Sequence, residues 1–143
     1  MKNTLLIAAA AVLMAGTASA QEAGVAVGQL EGNDTVVSAR YQTGFVELTA
    51  DTLTGGKAFD NTLVGVNLVK DFALTERLSV YALGGLGYAW TPGFDTATYT
   101  YGAGATYALT ERVEVDARVR EVESFRSDTV GQTIATLGFN VKF

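Results

Sequence analysis

Cysteine and histidine are absent from this 143-residue chain, proline occurs once, at Pro92, and methionine only at Met1 and Met14. Without cysteine no disulfide can hold the fold, so packing and hydrogen bonding must do it. Without histidine, the serine–histidine arrangement of acyl-transfer and lipase chemistry has no base beside its nucleophile. The carboxylates match no known metal-loop spacing, so neither metal nor cofactor is expected. The glycine strings GGLG and GAG sit inside strand-like segments with no helix after them, which removes a phosphate-cradling loop. Long apolar runs are also scarce. Leu5–Ala15 is eleven residues, too short to cross a bilayer as a helix.

What that run does fit is a leader. Lys2, the apolar stretch and the small-residue ending Gly16-Thr17-Ala18-Ser19-Ala20 read as a secretory signal peptide, residues 1–20, cleaved before Gln21. The remainder, residues 21–143, is the size of one domain. Lys2 is the only charge in the leader, so its removal takes the net charge from −5 to −6. An acidic exported domain is not a nucleic-acid binder by charge.

No segment after Ala20 keeps a helical period, whereas alternation of apolar and polar residues is widespread. Eight strands are expected, at Ala23–Leu30, Thr35–Thr43, Phe45–Leu53, Phe59–Phe72, Arg77–Trp90, Thr98–Leu109, Arg112–Glu123 and Val130–Phe143. Between them lie turn-forming stretches such as Glu31-Gly32-Asn33-Asp34 and Thr91-Pro92-Gly93-Phe94-Asp95. The phrase Ala-Leu-Thr-Glu-Arg occurs twice, at 73–77 and 108–112, each time leading into a strand. In a hairpin meander both copies, with Thr43-Gly44, fall at one end of the sheet.

One face of these strands is apolar and the other polar. Val113, Val115, Ala117 and Val119 oppose Glu114, Asp116, Arg118 and Arg120; Leu137, Phe139, Val141 and Phe143 oppose Thr136, Gly138, Asn140 and Lys142. Alternation alone does not say which face is inside, but three features do. Between Leu78 and Thr110 the only charge is Asp95, which makes a poor water-exposed surface. Tyr88, Trp90, Tyr99 and Tyr101 gather toward one end, and Tyr41, Phe72, Tyr107 and Phe143 toward the other, as interface girdles do. The polar faces carry Glu47, Asp51, Glu114 and Asp116 against Arg40, Arg118, Arg120 and Lys142, a balanced set of ion-pair candidates for an enclosed lumen. Gly102 and Thr106 lie on the same inner face, where serine reads as a mild replacement.

The stretch YGAGATYALTERVEVDARVREVES and the ending TLGFNVKF resemble the small outer membrane β-barrel family that includes outer membrane proteins A and X. The resemblance covers essentially all of residues 21–143. It implies an all-β, eight-stranded antiparallel up-and-down transmembrane β-barrel in the outer membrane of a Gram-negative bacterium, with both termini in the periplasm. Phe139, Val141 and Phe143 are similar to the assembly signal of that family, so outer membrane lipid and the assembly machinery are the implied partners of a monomer. Relatives often have longer loops, and no peptidoglycan-binding module is expected after Phe143. The function that follows is non-enzymatic, structural or surface-interacting, with a lumen filled by polar and charged side chains and with Phe94 and Phe125 available to a surface partner. Two other readings of the alternation stay open: a narrow small-solute channel, and a soluble exported barrel binding a hydrophobic ligand.

The mature protein is expected to begin at Gln21, and the intact mass of the exported chain checks it; a different first residue would displace the leader boundary.

Overall fold

The computed structural model describes residues 21–30, 34–55, 59–91, 94–125 and 131–143; the leader expected at residues 1–20 lies outside them. All the described elements are strands: β1 (Gln21–Leu30), β2 (Thr35–Thr43), β3 (Val46–Gly55), β4 (Phe59–Ala73), β5 (Leu78–Thr91), β6 (Phe94–Ala108), β7 (Val113–Ser124) and β8 (Gln132–Lys142). Each pairs antiparallel with its neighbour in sequence, and β1 pairs with β8 from Glu22↔Lys142 to Leu30↔Ile134, closing the sheet into a barrel. The Phe143 N–H donates to the Gln21 carbonyl at 2.7 Å, extending that seam to the last residue.

Strand boundaries follow expectation within a few residues, with one informative exception. β6 starts at Phe94 and not at Thr98, because the β5–β6 ladder continues to Thr91↔Phe94 and leaves only Pro92 and Gly93 between the strands. Phe94, expected in a connection, is therefore a strand residue. Asp95, paired with Trp90, hid the strand by interrupting its apolar pattern.

The repeated phrase builds the same turn twice. Leu74 and Thr75 N–H both donate to the Leu78 carbonyl at 3.0 Å, while Thr75 Oγ1 accepts from the N–H groups of Arg77 and Leu78 at 3.2 and 2.9 Å. In the second copy Leu109 and Thr110 donate to Val113 at 2.9 and 3.1 Å, and Thr110 Oγ1 accepts from Arg112 and Val113 at 3.2 and 3.0 Å. A threonine hydroxyl that satisfies two backbone donors lets the chain reverse without leaving them bare. The third connection at this end is tighter still: Thr43 faces Val46 across a turn in which Gly44 takes a left-handed φ of 59°. The first described residue, Gln21, and the last, Phe143, lie at this end, called here the terminal end, and the other end is called distal.

The barrel is apolar outside. Val25, Val27, Val66, Leu68, Leu86, Val119, Leu137 and Phe139 are exposed, and none of their side chains enters the lumen. Aromatics line the distal rim along β5–β7, where Tyr88 packs on Trp90 at a centroid distance of 4.9 Å and Tyr99 on Phe125 at 5.3 Å. Phe45, Phe72, Tyr107 and Phe143 are exposed toward the terminal end.

Thr75→Val and Thr110→Val should each lower stability by about 0.5–1.5 kcal/mol, and serine should restore most of the loss, because only the hydroxyl is needed. Urea midpoints of the barrel folded in lipid vesicles check this; equal losses for serine and valine would locate the role of the threonine elsewhere.

Candidate functional site: the filled lumen

Period-2 alternation sends every second residue of each strand into a narrow interior, and with eight strands the side chains themselves fill it. In hydrocarbon-walled space a charge has to be paired. The eight charged residues of the polar faces meet in four pairs. Arg118 grips Glu47 with two parallel bonds, Nη1 to Oε1 at 2.9 Å and Nη2 to Oε2 at 2.6 Å. Arg40 Nη1 reaches Asp116 Oδ2 at 2.9 Å, Arg120 Nη2 reaches Asp51 Oδ1 at 2.6 Å, and Lys142 Nζ reaches Glu114 Oε2 at 3.1 Å. Three of the pairs join strands far apart in sequence, β7 with β3 twice and β2 with β7, while Lys142 and Glu114 belong to the neighbouring strands β8 and β7.

Three uncharged residues that sequence reasoning did not single out join these pairs into a network. Tyr81 Oη donates to Asp116 Oδ1 at 2.6 Å and accepts from Arg118 Nε at 2.7 Å, and the Arg118 guanidinium lies 5.1 Å from the centre of its ring. Asn140 accepts from Arg40 Nε at 2.9 Å and donates to Glu114 at 3.0 Å. Asn67 donates to Glu47 at 3.0 Å. A continuous path thus runs Lys142, Glu114, Asn140, Arg40, Asp116, Tyr81, Arg118, Glu47, Asn67, across six strands. The Arg120–Asp51 pair, to which Ser38 Oγ donates at Asp51 Oδ1, stands beyond its distal end. The signal that could have found Tyr81 is its parity: it shares the inner face of β5 with Leu83 and Gly85 while the other aromatics of that strand, Tyr88 and Trp90, share the outer one.

Glycines on β6 make room for this packing. A Cβ at Gly104 would run into the Tyr81 ring and hydroxyl. At Gly102 it would meet the Val119 carbonyl and, at 2.7 Å, the Cα of Arg120. The expectation that serine is mild at Gly102 is therefore corrected: the obstacle is the neighbouring backbone, which cannot swing aside as a side chain can.

The lumen is not polar throughout. Leu30, Val36, Leu63 and Ile134 form a buried cluster inside the distal end, with Ala89 and Val122 packed against it. Leu63 pairs with Asp51 and Ile134 with Arg120 in the ladders, so the cluster sits against the last ion pair. These residues lie near strand ends, outside the alternating stretches that defined the polar face, and a lumen filled by polar and charged groups alone is corrected to one that is charged toward the terminal end and apolar toward the distal end.

An antiparallel eight-stranded barrel, closed on itself, greasy outside and charged within, defines the class of small transmembrane β-barrels. No known family profile and no curated protein matches the sequence. Solved structures match in fold. The N-terminal β-barrel domain of Pseudomonas aeruginosa OprF aligns with a TM-score of 0.67 at 18% identity, over 87% of this chain and 98% of that one. Neisserial surface protein A aligns at 0.59 and 21% identity, over 86% and 96%. The outer membrane enzyme PagL aligns at 0.59 and 13% identity, over 85% and 99%. Identities this low establish the fold, which is that of the small outer membrane barrels.

Arg118→Ala strands Glu47 without its cation and should destabilise the barrel by about 3–5 kcal/mol, with Glu47→Ala recovering part of that loss in the double variant. Chemical unfolding in lipid vesicles measures the cycle; strictly additive losses would mean that the pair is not coupled.

Proposed function

We propose that this chain is a non-enzymatic integral outer membrane protein, exported by a leader at residues 1–20, whose 21–143 barrel has a structural or surface-interaction role. The observation that carries this reading is the inversion of polarity: an apolar exterior with aromatic rims around an interior of mutually paired charges. A soluble barrel that held a hydrophobic ligand would need the reverse. Chemistry finds little foothold, since the chain has no histidine and each carboxylate of the four lumen pairs is held by a cation. Likeness in fold to an enzyme such as PagL carries no active site with it.

The orientation we infer puts the terminal end, with its short threonine turns, in the periplasm and the distal rim outside. Phe139, Val141 and Phe143 project as one exposed row beside the β1–β8 seam. In the proposed role of assembly signal that row is what the assembly machinery meets before the barrel closes. Lipid is the standing partner of the outer wall, and the protein acts as a monomer. Outside the membrane Phe125 is exposed and packed on Tyr99, an apolar contact for a surface partner.

Deleting Phe143 should reduce the amount of protein recovered in outer membranes while its export continues. Fractionation into outer membrane, periplasm and medium reads both; full accumulation of the shortened chain in outer membranes, or wild-type protein found free in the periplasm, would count against the proposal.

A further inference from the structure

The charged residues differ sharply in their access to solvent. Lys142 is 50% exposed at the terminal mouth, whereas Arg40 is 10%, Arg118 5% and Arg120 3% exposed, in that order along the ladders toward the distal end. Free space narrows in the same direction. A cavity of about 370 Å³, lined by Glu22, Gln42 and Lys142 among others, opens at the terminal mouth. Beside Ser38, Thr49, Asp51 and the three arginines only about 10 Å³ remains, roughly the room for one water. Asp51 and Arg120 line that space, and Asp51 Oδ2 and Arg120 Nε have no hydrogen-bond partner among the described residues. Then come Leu30, Val36, Leu63 and Ile134, between 0% and 7% exposed, with buried Thr96 and Thr98 on the β6 side.

We infer that the lumen is a blind polar cup, open to water at the Lys142 mouth and with room for no more than a single water beside the Arg120–Asp51 pair, and that the Leu30–Val36–Leu63–Ile134 cap, not the ion-pair network, is the seal against ion passage. The physical reason is asymmetric. A network of charges offers water and ions replacement ligands at every step, so a gap in it hydrates readily. An apolar constriction offers none and excludes them by dewetting. The inference rests on the reading of the chain as a closed, non-conducting membrane barrel.

Planar-bilayer recordings of the full barrel separate the possibilities, with heat-dependent gel mobility used to establish that each variant is folded. Leu63→Ser with Ile134→Ser should raise steady conductance by about tenfold or more over wild type, whereas Glu47→Ala with Arg118→Ala, which hollows the network under an intact cap, should stay within about twofold of it. A folded cap variant that remains silent, or a network variant that conducts, overturns the inference and leaves the sealed-barrel reading standing. Steady conductance from the wild type overturns both. Should the cap variant not fold, water-edited NMR of the wild-type barrel in lipid decides: magnetisation from water should reach Lys142 and Arg40 early and the Leu63 and Ile134 methyl groups late, and equal build-up at all four overturns the cap as the dry seal.

Discussion

A strand surrounded by hydrocarbon has no water to satisfy its N–H and C=O groups, so its sheet must have no edge. In this barrel that requirement falls on the β1–β8 seam, which runs from the Phe143 N–H on the Gln21 carbonyl to the Leu30↔Ile134 pair. Everything else depends on that closure. It forces the chain to reverse seven times in little space, which accounts for the twin threonine turns and for the ladder that carries β5 and β6 to within two residues of each other. It also limits the bore to what side chains can fill.

Filling the bore with charge is demanding, because each ion must leave water. The arrangement meets that demand with geometry. Arg118 and Glu47 share two bonds, Tyr81 serves as donor to one carboxylate and acceptor to one guanidinium, and Asn140 bridges an arginine and a glutamate. Such bonds tie together strands that the ladders do not, since β3 and β7 never pair yet are joined across the lumen. The bare backbone of β6 at Gly104 is the counterpart of this packing, since a Cβ there would run into the Tyr81 ring, whereas at Gly102 it would meet the backbone of β7.

Charge and apolar packing divide the interior between them. Toward the terminal end the long ionic side chains can draw on solvent at the mouth; toward the distal end the wall supplies leucine, valine and isoleucine, and the barrel acquires a small core of the ordinary kind. A second apolar contact, Val69 and Leu83 against Tyr81, holds the tyrosine in place beside the ions.

The strand count, the two faces and the turn repeat were legible in the sequence because each is a local property: side chains alternate with a period of two along any strand, whatever its partner, and the Leu-Thr-Glu-Arg turn bonds within five residues. Even the balance of charge on the inner face could be counted before any pairing was known. Only the tertiary structure decided which arginine meets which carboxylate, since that depends on how far neighbouring strands are staggered when the sheet closes, and the stagger brings together residues 76 positions apart, as in Arg40 and Asp116. For the same reason Tyr81, Asn67 and Asn140 looked like ordinary inner-face residues until closure set them beside ions, and Leu30, Val36, Leu63 and Ile134, scattered over four strands, became one cap only when those strands were wrapped around a common axis.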